Sequence, residues 1–202
     1  QTNTGMYMAA TNLNEVLSWT AGGRVDFYRN KNVPTVTLSL FRDVPGADAI
    51  ARLSYRTGHR EPSLFERFDG FSGDPTLSAE ESNSYQASVE KKIGDVSVKA
   101  AYFLHEIRNR IDYNFTTSKY ENIPGLTTSK GYQLAAYAQD ILWLSWLSTG
   151  YTYYDAKTQG SSGVTRSLLV PDHKWTVTAV LTSDPFSLGF TYIEVGQRMD
   201  FG

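Results

Sequence analysis

The chain is 202 residues long, carries 19 basic and 21 acidic residues, has no cysteine, and is 41% apolar. That length suffices for a single domain, and the missing cysteines exclude a disulfide framework or a thiolate metal site; with the charges balanced and no basic run, no nucleic-acid partner is expected. No run of roughly 18 apolar residues occurs, which excludes a transmembrane helix but not a β-barrel, whose apolar residues alternate with polar ones.

Period-two alternation predicts ten strands. The first, residues 6–13, alternates weakly and runs into the turn Asn14-Glu15-Val16-Leu17. In residues 19–28, Trp19, Ala21, Val25 and Phe27 share one face, and Thr20, Gly22, Arg24, Asp26 and Tyr28 the other. A weaker strand at 35–41 leads to the turn Asp43-Val44-Pro45-Gly46-Ala47-Asp48. Within 49–57, Ala51, Leu53 and Tyr55 oppose Arg52, Ser54 and Arg56; a long polar connection over 58–82 follows. In residues 82–92, Tyr85, Ala87 and Val89 oppose Ser84, Gln86, Ser88 and Glu90. The turn Lys92-Ile93-Gly94-Asp95 opens residues 96–105, whose apolar face is Val96, Val98, Ala100, Tyr102 and Leu104. A second long connection, 106–130, precedes strands at 131–139 and 147–155. A third, 156–172, precedes 174–181, the turn Ser183-Asp184-Pro185, and a last strand at 186–193.

Tight Asp-, Gly- and Pro-bearing turns thus alternate with long polar connections. An outer-membrane barrel sorts its connections this way, short on the periplasmic side and long outside, whereas a soluble sandwich has no reason to. Strands of about 9–11 tilted residues match a bilayer crossing. Thirteen Tyr, four Trp and ten Phe, many near strand ends, suit interfacial aromatic girdles. Arg24, Asp26, Arg52, Arg56 and Glu90 recur on the non-apolar face, where a barrel has its polar lumen. The expected fold is therefore all-β: an antiparallel transmembrane β-barrel segment of about ten strands. Counting strand directions puts both termini at the long-loop end, and the chain opens on Gln1 without a signal-like segment and closes on Asp200-Phe201-Gly202. A contiguous piece of a larger barrel is expected, with residues 1–202 forming one partial barrel domain.

Six motifs, in order over about residues 39–174, carry a family resemblance. The stretch Ala51-Arg-Leu-Ser-Tyr-Arg-Thr-Gly-His-Arg-Glu-Pro-Ser-Leu-Phe-Glu66 ends a strand in a small-polar, Gly, basic, Pro-Ser-Leu, acidic pattern. Gly73-Asp74-Pro75-Thr76-Leu77-Ser78-Ala79-Glu80-Glu81-Ser82 follows, with Asp74 where Asn is usual and Ala79 where Pro is. Tyr102-Phe103 through Ile111-Asp112-Tyr113 comes next. Tyr120-Glu121-Asn122 and Ser129-Lys130-Gly131-Tyr132-Gln133 form the return, with Gln133 where Glu is common. Gly150-Tyr151-Thr152-Tyr153-Tyr154-Asp155-Ala156 and Val170-Pro171-Asp172-His173-Lys174 complete the set. Together they resemble the barrel of TonB-dependent outer-membrane receptors, in flavour the cobalamin and siderophore branch. The resemblance implies a roughly 22-stranded barrel whose lumen is filled by an N-terminal plug. No plug-like segment or TonB box is recognised in these residues.

What the resemblance implies for function is uptake of a scarce small-molecule ligand, a metal chelate or a cobalamin-like compound, across the outer membrane of a Gram-negative bacterium. The partners implied are outer-membrane lipid, the plug, and the TonB complex reached through it. Loop residues are the expected ligand contacts, because a rigid barrel presents its loops for binding: Phe65, Phe68, Tyr113, Asn114, Tyr120 and Asn122. Arg24, Asp26, Arg52, Arg56, Arg60, Glu66 and Glu90 are expected to face the plug or to hold structure, Arg60 and Glu66 by anchoring their loop.

No cofactor, metal site or catalytic residue is assigned. His59, His105 and His173 lie at no ligand spacing, and no nucleophile elbow or phosphate-cradling Gly loop occurs. Asp172-His173 suggests a dyad, but the resemblance explains this His as the residue opening a strand. Asp43, Asp48, Asp74, Asp95 and Asp112 sit where Asx turns explain them. Two other readings compete. A self-contained ten-stranded outer-membrane barrel, a protease or adhesin, requires for catalysis a His–Asp pair and acidic pairs converging at the rim. A soluble β-sandwich binding module requires similar loops at both ends.

Overall fold

The computed structural model describes residues 4–14, 17–28, 31–141, 143–160, 163–166 and 170–198. Glu15 and Val16 of the first predicted turn, parts of the third long connection, and the closing Asp200-Phe201-Gly202 lie outside them. In chain order the elements are β1 (Thr4–Asn12), β2 (Ser18–Tyr28), β3 (Lys31–Val44), β4 (Ala49–Arg60), α1 (Leu64–Phe68), β5 (Glu80–Ile93), β6 (Val96–Arg108), β7 (Ile111–Asn114), β8 (Lys119–Asn122), β9 (Leu126–Ile141), β10 (Leu144–Gly160), β11 (Gly163–Arg166), β12 (His173–Ser183) and β13 (Phe186–Val195). One antiparallel sheet runs β1-β2-β3-β4-β5-β6-β9-β10-β12-β13, with β11 added to β10, while β7 and β8 form a separate hairpin. β1 and β13 end the sheet, which does not close on itself.

These are the ten predicted strands, lengthened. β10 covers 17 residues where alternation predicts 147–155, because its ladder with β9 continues to Thr158↔Thr127. Above the bilayer both faces meet water, so the pairing persists while the apolar–polar alternation that revealed the strand fades. β3 is likewise longer than its predicted 35–41, and only residues 29–30 separate it from β2. Pro34 hides this stretch in the sequence. It pairs with Val25 of β2, while β3 and β4 cease pairing beyond Thr37↔Arg56, and the Val36 N–H turns instead to Thr57 Oγ1 at 2.8 Å. Since alternate residues of a strand direct their N–H groups to the same side, the donor Pro34 lacks belongs to that unpaired edge, where proline is tolerated.

Register decides which side chains share a face. One row reads Leu40, Leu53, Ala87, Tyr102, Tyr132, Tyr153 and His173 across seven strands. One residue along, on the opposite face, the row reads Phe41, Arg52, Ser88, Ala101, Gln133, Thr152 and Lys174. Among the described residues the sheet buries no apolar side chain larger than alanine, namely Ala49, Ala101, Ala138 and Ala156, while Leu53, Tyr102 and Leu134 stay 58%, 53% and 51% exposed. A sheet with a bare apolar face and a polar opposite face is inside-out for water and stable in lipid.

The aromatics on the apolar face fix its level in the membrane. Tyr55 and Tyr85 lie in the row of Leu38; Tyr102, Tyr132 and Tyr153 in the row of Leu40; Tyr151 and Trp175 in that of Ala51; and Tyr192 in the next, beside Val177. Each step moves towards the short turns as the strands advance, as a level line must when it crosses tilted strands. Ring contacts follow the diagonal: Tyr55–Tyr85 at 5.1 Å, Tyr132–Tyr153 at 5.3 Å and Trp175–Tyr192 at 6.1 Å. This is one aromatic girdle, and the long loops rise beyond it.

Candidate ligand-capture site at the long-loop end

The connection 61–79 holds a helix of only five residues, too short to persist alone. Ser63 caps it: its Oγ accepts from the Glu66 N–H at 3.1 Å while Glu66 Oε2 accepts from the Ser63 N–H at 2.6 Å. Arg60 then ties this helix to the sheet. Its guanidinium donates to both oxygens of Glu66 at 3.1 Å and to both of Glu80 at 2.9 and 2.8 Å. Glu80 Oε1 in turn accepts from the Ile111 N–H at 2.8 Å, which carries the tie to the next connection.

Connections 61–79 and 109–125 interlock at further points. The Tyr120 N–H donates to the Ser72 carbonyl at 2.9 Å. Asn122 accepts from the Ser78 N–H at 2.7 Å and donates to the carbonyls of Ser78 and Asn109 at 3.0 and 2.7 Å. Leu77 and Ile111 are buried beneath. Above them the rings of Phe65, Tyr120, Tyr113 and Phe115 meet edge to face in succession, with centroids 6.0, 5.3 and 4.9 Å apart. Phe65, Phe68 and Phe71 are 59%, 65% and 85% exposed. The two loops form one rigid unit with an aromatic surface.

Of the expected ligand contacts, Phe65, Tyr113 and Tyr120 come together, and Phe68 is exposed on the same short helix. Asn122 has its amide committed to the loop–loop bonds above, and Asn114 builds its hairpin, donating to Glu121 at 3.0 Å and accepting from the Thr116 N–H at 2.9 Å. Phe71 and Phe115 join the surface without having been singled out; an isolated loop Phe carries no periodicity, and only their exposure marks them. Arg60 and Glu66 are bonded to each other between the top of β4 and the short helix.

The inward charges occupy the polar face together. Arg24 pairs with Asp26 at 2.6 Å, and Arg52 lies 5.6 Å over the Phe41 ring. Glu90 accepts from the Tyr137 hydroxyl and stands across from Lys99. Arg56, opposite Thr37 and Ser84, has no ion-pair partner among the described residues. His173 Nδ1 approaches Asp172 Oδ1 at 2.9 Å, yet the imidazole stacks on Tyr151 on the apolar face, where a strand opens. Asp74 forms the Asx turn anticipated for it, accepting from the Thr76 N–H at 2.8 Å.

Burial pushes the Glu66 carboxyl up, but the Ser63 N–H and hydroxyl, with Arg60, outweigh it and hold it below its ordinary 4.5. For Glu61 burial again opposes, and Lys31 at 2.6 Å with His59 at 2.8 Å prevails. Carboxyls that titrate lower when folded give a stabilisation that is complete above about pH 4.5 and drains as the pH falls through their depressed values. Amide exchange over 61–79, corrected for intrinsic rates, should therefore be flat from pH 7 to 5 and accelerate below. Protection unchanged down to pH 3 would show that these pairs do not hold the loop.

All 202 residues match the family described as TonB dependent receptor-like, β-barrel. A vitamin B12 transporter, BtuB of Vibrio cholerae, is 26% identical over 149 residues, which cover 74% of this chain and 24% of that protein. The chain thus spans about a quarter of the length of the curated relatives it matches. Among solved structures, the copper transporter OprC superposes with a TM-score of 0.74 at 13% identity, covering 96% of this chain and 35% of that one. The ferric enterobactin receptor PfeA of Pseudomonas aeruginosa gives 0.72 at 17% identity, over 96% and 33%. FauA, the alcaligin receptor of Bordetella pertussis, gives 0.68 at 19%, over 96% and 37%. At these identities the structures speak to the fold, and the family match, which spans the chain, carries the assignment. With its inside-out sheet, sorted loops and six ordered motifs, the chain belongs to the TonB-dependent receptor family, as part of its β-barrel.

Proposed function

We propose that this chain is barrel wall and extracellular loop of a receptor that captures a scarce ligand, an iron–siderophore or a cobalamin, and takes it up across the outer membrane. The observation that carries the reading is the junction of two surfaces: an apolar face with a level aromatic girdle, and beyond it an interlocked loop pair exposing Phe65, Phe68 and Phe71. Lipid covers the first; ligand meets the second through Phe65, Phe68, Tyr113 and Tyr120. Arg24, Asp26, Arg52, Arg56 and Glu90 hydrate the lumen wall and hydrogen-bond a plug, through which the TonB complex supplies energy. A barrel wall alone has no means of coupling to that energy, so uptake belongs to the complete receptor.

Uptake of labelled siderophore and cobalamin in cells with and without the receptor, each with and without TonB, tests this. Uptake should require both. A ligand that enters equally well without TonB would overturn the reading.

A further inference from the structure

Two cations interrupt the lipid face. Between the aromatic girdle and the short turns, the outward positions of β3–β6 are apolar apart from Arg42 and Lys91. Arg42 stands beside Ala51 in its row, and Lys91 beside Ala49 and Val98 in the next; both are exposed. Their chain neighbours Asp43 and Glu90 share a row with Ile50 on the opposite face. Among the described residues, neither cation pairs with a carboxylate.

A cation set in a lipid-covered surface is costly unless its long side chain reaches polar groups at the interface. These two are placed to share one such group. Two strand spacings and two residues separate them, about 12 Å between Cα atoms, which is within the combined reach of an arginine and a lysine. The drop of one row from β3 to β5 follows the slant of the girdle, so both sit at one depth.

Above them the same face is hollowed. Ala51, Ala87 and Ala100 leave a groove of about 450 Å³ among Leu40, Leu53 and Val89, with Arg42 at its edge. Past Leu40 and Leu53 it continues into a second groove, of about 390 Å³, that ends at Tyr55, Tyr85 and Tyr102 of the girdle. Four residues separate Arg42 from the row of Leu38, about 13 Å of strand. One leaflet's hydrocarbon is about 15 Å thick.

We infer that Arg42 and Lys91 bind the phosphate of an anionic glycerophospholipid, one acyl chain of which lies in the groove. Short turns mark the periplasmic side of such barrels, so the lipid belongs to that leaflet. Two cations favour a headgroup of net negative charge, because the ammonium of a zwitterionic one would be repelled. The site lies on the barrel's outer wall and is independent of whatever ligand the receptor takes up.

Native mass spectrometry of the full-length receptor in detergent, titrated with phosphatidylglycerol or phosphatidylethanolamine, tests the site. Phosphatidylglycerol should bind roughly fivefold or more tightly than phosphatidylethanolamine, and Arg42→Leu with Lys91→Leu should abolish the preference. Leucine suits a lipid face, so this variant should fold, which urea unfolding in vesicles checks. Arg42→Lys should retain the preference, and so should Lys99→Leu, across from Glu90 on the polar face. Ala87→Phe, which fills the groove, should weaken both lipids. Inorganic phosphate at millimolar concentration should displace neither. Equal binding of the two lipids, a preference that survives the double substitution, unaltered binding in Ala87→Phe, or displacement by phosphate alone overturns the inference.

Discussion

Replacing Leu53 with Arg should destabilise the receptor by up to about 2–4 kcal/mol, the cost of a cation on the lipid face, which is greatest at the bilayer midplane. Leu53 lies in β4 between the 45–48 turn and the polar top of the strand, is 58% exposed, and is flanked in its row by Leu40 and Ala87. Nothing among the described residues covers it, which leaves it to lipid. The adjacent Ser54 is the control. It pairs with Ser39 and Gln86 on the polar face, and Ser54→Arg should change stability little. Urea unfolding of the intact receptor in lipid vesicles reads both variants. Equal effects at the two positions would mean that the faces have been assigned the wrong way round.

Gly131→Ala should cost about 1–3 kcal/mol, in the range of overpacking. Gly131 stands between Phe103 and Tyr154 in register, and those rings close over it at 5.8 Å. A Cβ there would overlap the Tyr153 carbonyl oxygen and come within 2.9 Å of the Phe103 ring. Backbone cannot yield as a flexible side chain can, so the strands would have to part. Gly150 provides the comparison: its added Cβ would meet nothing nearer than the Leu134 carbonyl oxygen at 3.9 Å, and Gly150→Ala should be neutral or mildly stabilising. A Gly131→Ala receptor that unfolds at the wild-type urea concentration would refute the close approach.

Within the membrane-crossing part, alternation was a reliable guide because lipid on one side and a polar lumen on the other impose opposite chemistry on successive residues. Tyr85 and Glu90 could be put on opposite faces without coordinates. Where water bathes both faces the constraint lapses, so the upper ends of β3 and β10 were missed. The same loss hid the local structure of the loops: Ser63 and Glu66 carry a capping box that the sequence displays, yet a five-residue helix has no period to detect. The site was legible in part. Phe65, Tyr113 and Tyr120 read in the sequence as amphipathic loop side chains, and the Tyr120 ring meets the other two. Asn122 was selected on the same ground, but which groups its amide would meet depends on Ser78, 44 residues away.

Local chemistry thus determined by itself the ten strands, their two faces, the sorting of turns and loops, and the family motifs, because each depends on neighbours one to four residues apart. Tertiary structure alone decided the register that draws the aromatics into a level girdle and the bonds that fuse two loops into one unit. Those outcomes depend on which distant groups meet, and a pattern of period two carries no information about partners.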